Sequence, residues 1–320
     1  MLALLVSIFL AFSSAFVMLL FVYWLDRYEK EPLGLLAAAF MWGVVIAAGG
    51  AFIINTVLGL GVYVFTGDEV MADVATVSLI APFVEESLKG LALVIVFLFF
   101  RKEFDSILDG IIYAGMVALG FAATENVIYI FDRGYNELGW PGLVELAWIR
   151  LVVVAWQHPF YTAFTGIGLA IARMNKNILV KIIAIPAGFA TAVFSHFLHN
   201  TMAIFLVDWL GRIVDWFGWI MMGFFIVFMI ARERALIRKH LFEEVKSGLI
   251  SQAQYTKALS PWTMTTTSFS GRATSRFYQV CGELAHKKEQ FAKVGNERDN
   301  LAIIEKYRAE LAQLAPLAKA

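Results

Sequence analysis

A charged side chain near the middle of a bilayer costs at least about 2.5–3.5 kcal/mol. This chain nevertheless sets glutamate, lysine and histidine inside runs apolar enough to cross one. The runs fall at about 2–25, 33–58, 74–100, 107–131, 144–172, 177–207 and 211–231. Each reaches the roughly 20 residues that a helix needs to span a hydrocarbon core of about 30 Å. Residues are 60% hydrophobic and 16% charged, against roughly 45–50% and about 25% in soluble domains, and the excess lies before Ala231. Open strands would leave backbone groups unpaired in lipid, and the alternation of barrel strands is absent. The expected fold is therefore all-α: a polytopic membrane region of about seven helices over residues 1–232, followed by a small helical cytoplasmic tail over residues 233–320. The first run starts at Met1 with no basic stretch before it, so it reads as a retained helix rather than a cleaved signal. Cys281 is the single cysteine, which excludes an internal disulfide framework.

The connecting segments sort by charge. Arg27 and Lys30, Arg101 and Lys102, Arg173, Lys176 and Lys181, and Arg232, Arg234, Arg238 and Lys239 follow the first, third, fifth and seventh runs. The other segments carry Asp68, Glu69 and Asp73, then Asp132, Glu137 and Glu145, then Asp208 and Asp215, with only Arg133, Arg150 and Arg212 among them. Basic segments stay in the cytoplasm. The expectation is a cell-membrane protein with its N-terminus outside and its C-terminus inside.

Four runs hold the ionisable residues: Glu85, Glu86 and Lys89 in the third, Glu125 and Asn126 in the fourth, His158 in the fifth, and His196, His199 and Asn200 in the sixth. At about 1.5 Å per helical residue, Glu85 lies roughly 18 Å beyond Asp73, His158 roughly 20 Å beyond Glu145, and His196 roughly 18 Å before Asp208. Three polar centres from three helices thus share one layer. Glu125, Asn126, His199 and Asn200 lie one to two turns nearer the outer face. Lys89 is placed three and four residues after the two glutamates and can reach either. Two adjacent carboxylates in a low dielectric cannot both ionise cheaply, so a lysine keeps one charged and leaves the other poised as a general base. His196 and Asn200 share a helix face and together can orient a carbonyl and stabilise an oxyanion. Pro82 and Pro159 are expected to free backbone carbonyls mid-helix.

At these residues the sequence resembles the PrsW family of intramembrane proteases, in the clan of the CAAX prenyl endopeptidases and bacteriocin-processing membrane proteases. The likeness covers about residues 23–205. Its tract Asp26-Arg27-Tyr28-Glu29-Lys30-Glu31-Pro32 resembles the family's signature after the first helix, and Glu85-Glu86-x-x-Lys89 its EExxK motif. Phe121, Glu125 and Asn126 match FxxxEN, His158 a histidine-bearing helix, and His196 and Asn200 HxxxN. The resemblance implies cleavage of a single-pass membrane protein of the anti-sigma-factor type on the outer side of the membrane. It implies Glu85 as the water-activating base, Glu86 with Lys89 as its electrostatic partner, and His196 in catalysis with Asn200 polarising the carbonyl. The motifs leave two chemistries open. A glutamate mechanism without a cofactor is favoured, since HExxH spacing is absent; zinc, if used, would draw on His158, His196 and Glu86.

In the tail, residues 243–259 read as helix, a turn at Gly248-Leu249-Ile250, and a helix capped by Ser251, resembling the short helical (SHOCT-type) tails of other membrane proteins. Ser260 to Ser275 reads as a flexible linker, and helices at about 276–293 and 297–314 as an amphipathic hairpin for oligomerisation or docking. Net charge is zero, and the tail's mixed charges give no footing for nucleic acid. Intramembrane Glu, Lys and His also serve proton relays, so an ion- or proton-coupled transporter is the competing class, although no inverted repeat is visible. A non-catalytic membrane scaffold is the third.

Overall fold

The computed structural model describes residues 1–25, 31–104, 106–205, 216–260, 262–267, 270–296 and 299–319, and every regular element among them is helical. The tract from Asp26 to Lys30 and the segment holding Asp208, Arg212 and Asp215 lie outside the described residues. The chain divides into two compact units that meet in sequence between Met222 and Gly223.

The first unit contains α1 (Leu2–Leu25), α2 (Leu33–Thr66), α3 (Glu69–Ala75), α4 (Ala81–Phe99), α5 (Ile107–Ile128), α6 (Glu137–Trp148), α7 (Gln157–Met174), α8 (Ile178–Phe205) and the start of α9 (Phe217–Lys246). Four stretches among the described residues are long and apolar enough to cross a membrane: Leu2–Leu25, Leu33–Thr66, Ile107–Met174 and Ile178–Phe205. They turn large apolar side chains outward, including Leu5, Phe9 and Phe16 of α1, Phe52 and Ile53 of α2, and Ile178 and Ile182 of α8. Several of their polar residues are instead buried, among them Ser7, Asn126, Thr162 and His196. An apolar exterior of this extent belongs in lipid, so the chain is a helical, multi-pass membrane protein.

Helix α5 is the centre. Residues 108–110 and 112–123 are all buried. Its N-terminus is fixed by a capping box, in which Asp109 N–H donates to Ser106 Oγ (3.2 Å) and Ser106 N–H to Asp109 Oδ2 (2.5 Å). Close approach is made by small residues, as is usual between membrane helices. A Cβ on Gly110 would fall on the Gly166 carbonyl of α7, and one on Gly166 would fall on the Gly110 carbonyl.

Among the described residues four wide, π-helical turns interrupt the bundle: Trp42–Ala47 within α2, Thr76–Ile80 before α4, Tyr129–Asn136 after α5, and Ile149–Val153 after α6. They change how the two prolines act. Pro82 sits in the first turn of α4, where a missing N–H is tolerated. The wide turn before it pairs Ala81 N–H with Thr76 O, so the next donor in that pattern, for Val77 O, would be Pro82, which has none. Asn200 Nδ2 donates to that carbonyl instead (2.9 Å). Pro159 likewise falls in the first turn of α7, because the run expected at 144–172 breaks at Val154–Trp156. Carbonyls in the preceding turn accept from other helices: Val152 O from Trp219 Nε1 (2.6 Å) and Leu151 O from Ser14 Oγ (3.3 Å). Neither proline therefore stands in mid-helix. Near its start α6 is kinked at Gly139, whose φ of 68° is open to glycine at no steric cost.

The second unit, from Gly223, comprises the rest of α9 with α10 (Gln252–Ala258), α11 (Thr263–Thr267), α12 (Arg272–Val294) and α13 (Asn300–Leu314). Leu236, Ile237, Leu241, Phe277, Leu284, Ile304 and Leu311 are among its buried core. Gly248 takes φ 76° at the turn, and Ser251 forms a capping box with Gln254. The linker expected at Ser260–Ser275 is corrected here, since it contains α11 and the start of α12. Threonine hydroxyls return to the backbone, Thr266 Oγ1 to Trp262 O (3.0 Å) and Thr267 Oγ1 to Thr263 O (2.6 Å), and Thr263 and Thr267 are buried. Lys288, held by Glu243 and Glu244, and Arg308, held by Glu244, join α9 to the α12–α13 pair.

Candidate active site

On α4, which starts at Ala81, Glu85 and Glu86 share one inward turn and Lys89 lies on the next, with Glu86 and Lys89 fully buried and Glu85 nearly so. Lys89 Nζ donates to Glu86 Oε1 (2.6 Å) and lies 3.8 Å from Glu85 Oε2. Glu86 is further held by Thr162 Oγ1 (2.9 Å) and by His196 Nδ1 (3.1 Å). A carboxylate only accepts, so His196 carries its proton on Nδ1 and presents Nε2, 3.8 Å from Glu85 Oε2. The Tyr161 ring stacks on His196 at 4.8 Å, and Tyr161 Oη is anchored by Gln157 Oε1 (2.7 Å).

His158 joins the two halves of the cluster. Its Nε2–H donates to Glu125 Oε2 (2.9 Å), and its Nδ1 accepts from Lys89 Nζ (3.3 Å). Phe121 packs its ring against His158 (5.2 Å) and beneath the Lys89 ammonium (4.2 Å). Glu125 is also paired with Arg150, whose Nε donates to Asn126 Oδ1 (2.8 Å). His199 stands at the edge, 6.0 Å from the Tyr161 ring, with its buried Nδ1 lacking a hydrogen-bond partner. Asn200 reaches Val77 as described. Glu85, Glu125, His158, Tyr161, His196 and Asn200 line a cavity of about 800 Å³ that continues past Asn55 and Tyr63 to Asp73 and Asp132.

Thus Glu85, Glu86, Lys89, Glu125, Asn126, His158 and His196 are brought into one connected network, with His199 and Asn200 on the cavity wall. Three participants were not anticipated: Tyr161, Thr162 and Arg150. Thr162 lies four residues after His158 on the same helix face, which was a readable signal. Charge patterning places Arg150 in an outer loop. The structure corrects this by turning its guanidinium inward onto Glu125 with the side chain only 19% exposed; its place inside the apolar run 144–172 was the overlooked cue.

Glu85 Oε2 is buried and without a hydrogen-bond partner. That atom gives the site its chemical capacity, because an unsatisfied buried oxygen is poised to take a proton or a ligand. Glu85, His158 and His196 each offer one donor atom, all within 4.8 Å of one another. Two histidines and a carboxylate are a donor set found at catalytic zinc, so the residues fit a metal ion. Glu86, the carboxylate expected in that set, is already committed to Lys89, Thr162 and His196, and Glu85 stands in its place. An ion bound there would supply Lewis-acid polarisation of a carbonyl or of water. His158 would have to release Glu125 or Lys89 to join it, since both ring nitrogens are engaged.

A helical membrane body with glutamates and histidines gathered along an internal cavity defines the class: a multi-pass membrane protein with an ionisable centre. Residues 31–231 match the PrsW family intramembrane metalloproteases, and the chain belongs to that family. Among curated relatives, it is 31% identical over 117 residues to Protease PrsW of Geobacillus kaustophilus (strain HTA426), covering 37% of this chain and 48% of the relative. It is 34% identical over 118 residues to Protease PrsW of Bacillus subtilis (strain 168), covering 37% and 50%. It is 38% identical over 111 residues to Protease PrsW of Clostridioides difficile (strain 630), covering 35% and 44%. The chain spans about half the length of these relatives. No solved structure matches.

Proposed function

We propose that the protein is an intramembrane endopeptidase that cleaves a single-pass membrane protein of the anti-sigma-factor type, using water activated by Glu85. The observation that carries this reading is the unpartnered Glu85 Oε2 facing His196 Nε2 across 3.8 Å at the end of the cavity. A water there donates one hydrogen to each acceptor. Glu85 takes a proton as the water oxygen bonds to the peptide carbonyl carbon, and returns it to the amide nitrogen as the C–N bond breaks. Glu86, neutralised by Lys89 and tied by Thr162, fixes the His196 ring. Asn200 holds Val77 with one amide hydrogen and offers its second to the carbonyl oxygen. Glu125 orients His158.

The charge count supports a base without a metal. Glu85, Glu86 and Glu125 face two fixed cations, Lys89 and Arg150, leaving one negative charge, which a single transferable proton balances. A divalent ion would add charge beside the Lys89 ammonium. A metal-dependent reading is favoured in turn by the Glu85, His158 and His196 cluster, and inactivation by exhaustive chelation with recovery on zinc would establish it.

The proposed topology has seven crossings in the cell membrane, with the N-terminus outside and the tail cytoplasmic, serving oligomerisation or docking and not nucleic acid. The lipid bilayer delivers the substrate. The test is cleavage of a panel of single-pass reporters in liposomes by wild type and Glu85→Gln. Specific fragments from wild type alone support the proposal. Fragments from both remove Glu85 from the role of base, and proton-driven uptake without cleavage would establish the transporter.

A further inference from the structure

A second, partly buried ion pair stands beside the one formed by Lys89, and no step of the proposed reaction involves its cation. Arg150 comes from the wide turn Ile149–Val153, directly before the break that starts α7. Its guanidinium meets two residues of α5 and the first residue of the wide turn that follows: it pairs with Glu125, donates to Asn126 and lies 4.2 Å from the centre of the Tyr129 ring. The fork geometry of arginine suits such planar, multiple contact, and a lysine would not reproduce it. The oxygen that Arg150 holds, Glu125 Oε2, is the same one that accepts from His158 Nε2.

We infer that Arg150 is a positioning residue for the hydrolytic site: through Glu125 it fixes the ring of His158 and keeps the cations of the cluster correctly assigned. The inference rests on the proposed hydrolase reading for its kinetic consequence. Three carboxylates compete for two cations. With Arg150 on Glu125, Lys89 is left to Glu86 and Glu85. Without Arg150, the partly buried Glu125 carboxylate is left with Lys89 as the cation across the His158 ring. Lys89 then turns from Glu86, and His158 turns with it. Glu86 no longer fixes His196, and the water loses its second acceptor. The guanidinium thus acts on the reacting atoms only through other side chains.

The experiment uses the full-length protein in micelles, with reporter cleavage for kcat and KM and ¹⁵N-histidine NMR for the ring of His158, assigned with His158→Gln. Arg150→Met should lower kcat by about 100-fold, the scale of a misplaced catalytic group, with KM little changed, and should shift the His158 ring nitrogens. Arg150→Lys should recover part of kcat. Methylguanidinium added to Arg150→Ala should recover part as well, since the side chain lines the cavity. The double variant Arg150→Met with Glu125→Gln should match Glu125→Gln alone, because residues acting as a unit are not additive. It also removes both charges, so it remains a valid test where Arg150→Met does not fold. A further loss in the double variant, a rise in KM at constant kcat, or unmoved His158 shifts would each overturn the inference. The NMR arm reads it even if no reporter is cut; silence of wild type in the cleavage assay counts against the hydrolase reading alone.

Discussion

Replacing Lys89 by methionine should destabilise the membrane unit far more than removing a surface charge would. Its ammonium is fully buried, 2.6 Å from Glu86, 3.8 Å from Glu85 and 3.3 Å from His158 Nδ1. Methionine fills similar volume, so the cost is electrostatic rather than a cavity. Breaking a buried pair from one side costs about 3–5 kcal/mol, because the partner charge is left without compensation. At about 2–4 °C per kcal/mol for a unit of this size, the melting temperature in detergent should fall by roughly 6–20 °C. The double variant Lys89→Met with Glu86→Gln removes both charges and should recover most of that loss. Thermal unfolding followed by tryptophan fluorescence measures both. A single variant that melts with wild type, or a double variant as unstable as the single one, would refute the pairing as described.

Gly166→Ala should cost about 1–3 kcal/mol of overpacking, since its Cβ meets the Gly110 backbone; a lowered melting temperature and lost reporter cleavage check this, and an unchanged protein contradicts it. In the tail, burial pushes the Cys281 thiol well above its usual range, so maleimide should label it only after denaturation. Burial opposes the charge of Glu289, but hydrogen bonds from Lys239 (2.8 Å) and His240 (2.6 Å) outweigh it and hold the carboxyl at about 2, below its ordinary 4.5. A depressed carboxyl favours the fold above pH 4.5 and loses that contribution as pH falls toward 2. Hydrogen exchange in α12 should therefore rise less steeply with acid in Glu289→Gln than in wild type.

Much of this site was legible because lipid makes polar residues conspicuous. Glu85, His158 and His196 shared a layer by simple counting along helices, and the structure joins them through Glu86 and Lys89. Helical rise, however, says nothing of rotation, so which carboxylate is committed and which is open could not be read. Lys89 was within reach of both glutamates; it takes Glu86 because Thr162 and His196 arrive on that side. The breaks were less legible. A run such as 144–172 looks continuous in composition, yet Pro159 ends it from below and the carbonyls above are met by Trp219 and Ser14, partners distant in sequence. Arg150 is a related case: charge patterning assigns it to a loop, although it falls inside the apolar run 144–172, and the wide turn at Ile149–Val153 directs it inward. In the tail, Ser/Thr composition suggested flexibility, but threonines that bond their own backbone can close a helical turn.

The central claim is that Glu85 activates water in this site without a metal ion. It is tested most directly by cleavage of a single-pass reporter by chelated protein, with residual metal counted by mass spectrometry and Glu85→Gln run alongside. The account predicts cleavage by metal-free wild type and none by the variant. Activity that vanishes with the metal and returns with zinc, or fragments produced equally by Glu85→Gln, would contradict it.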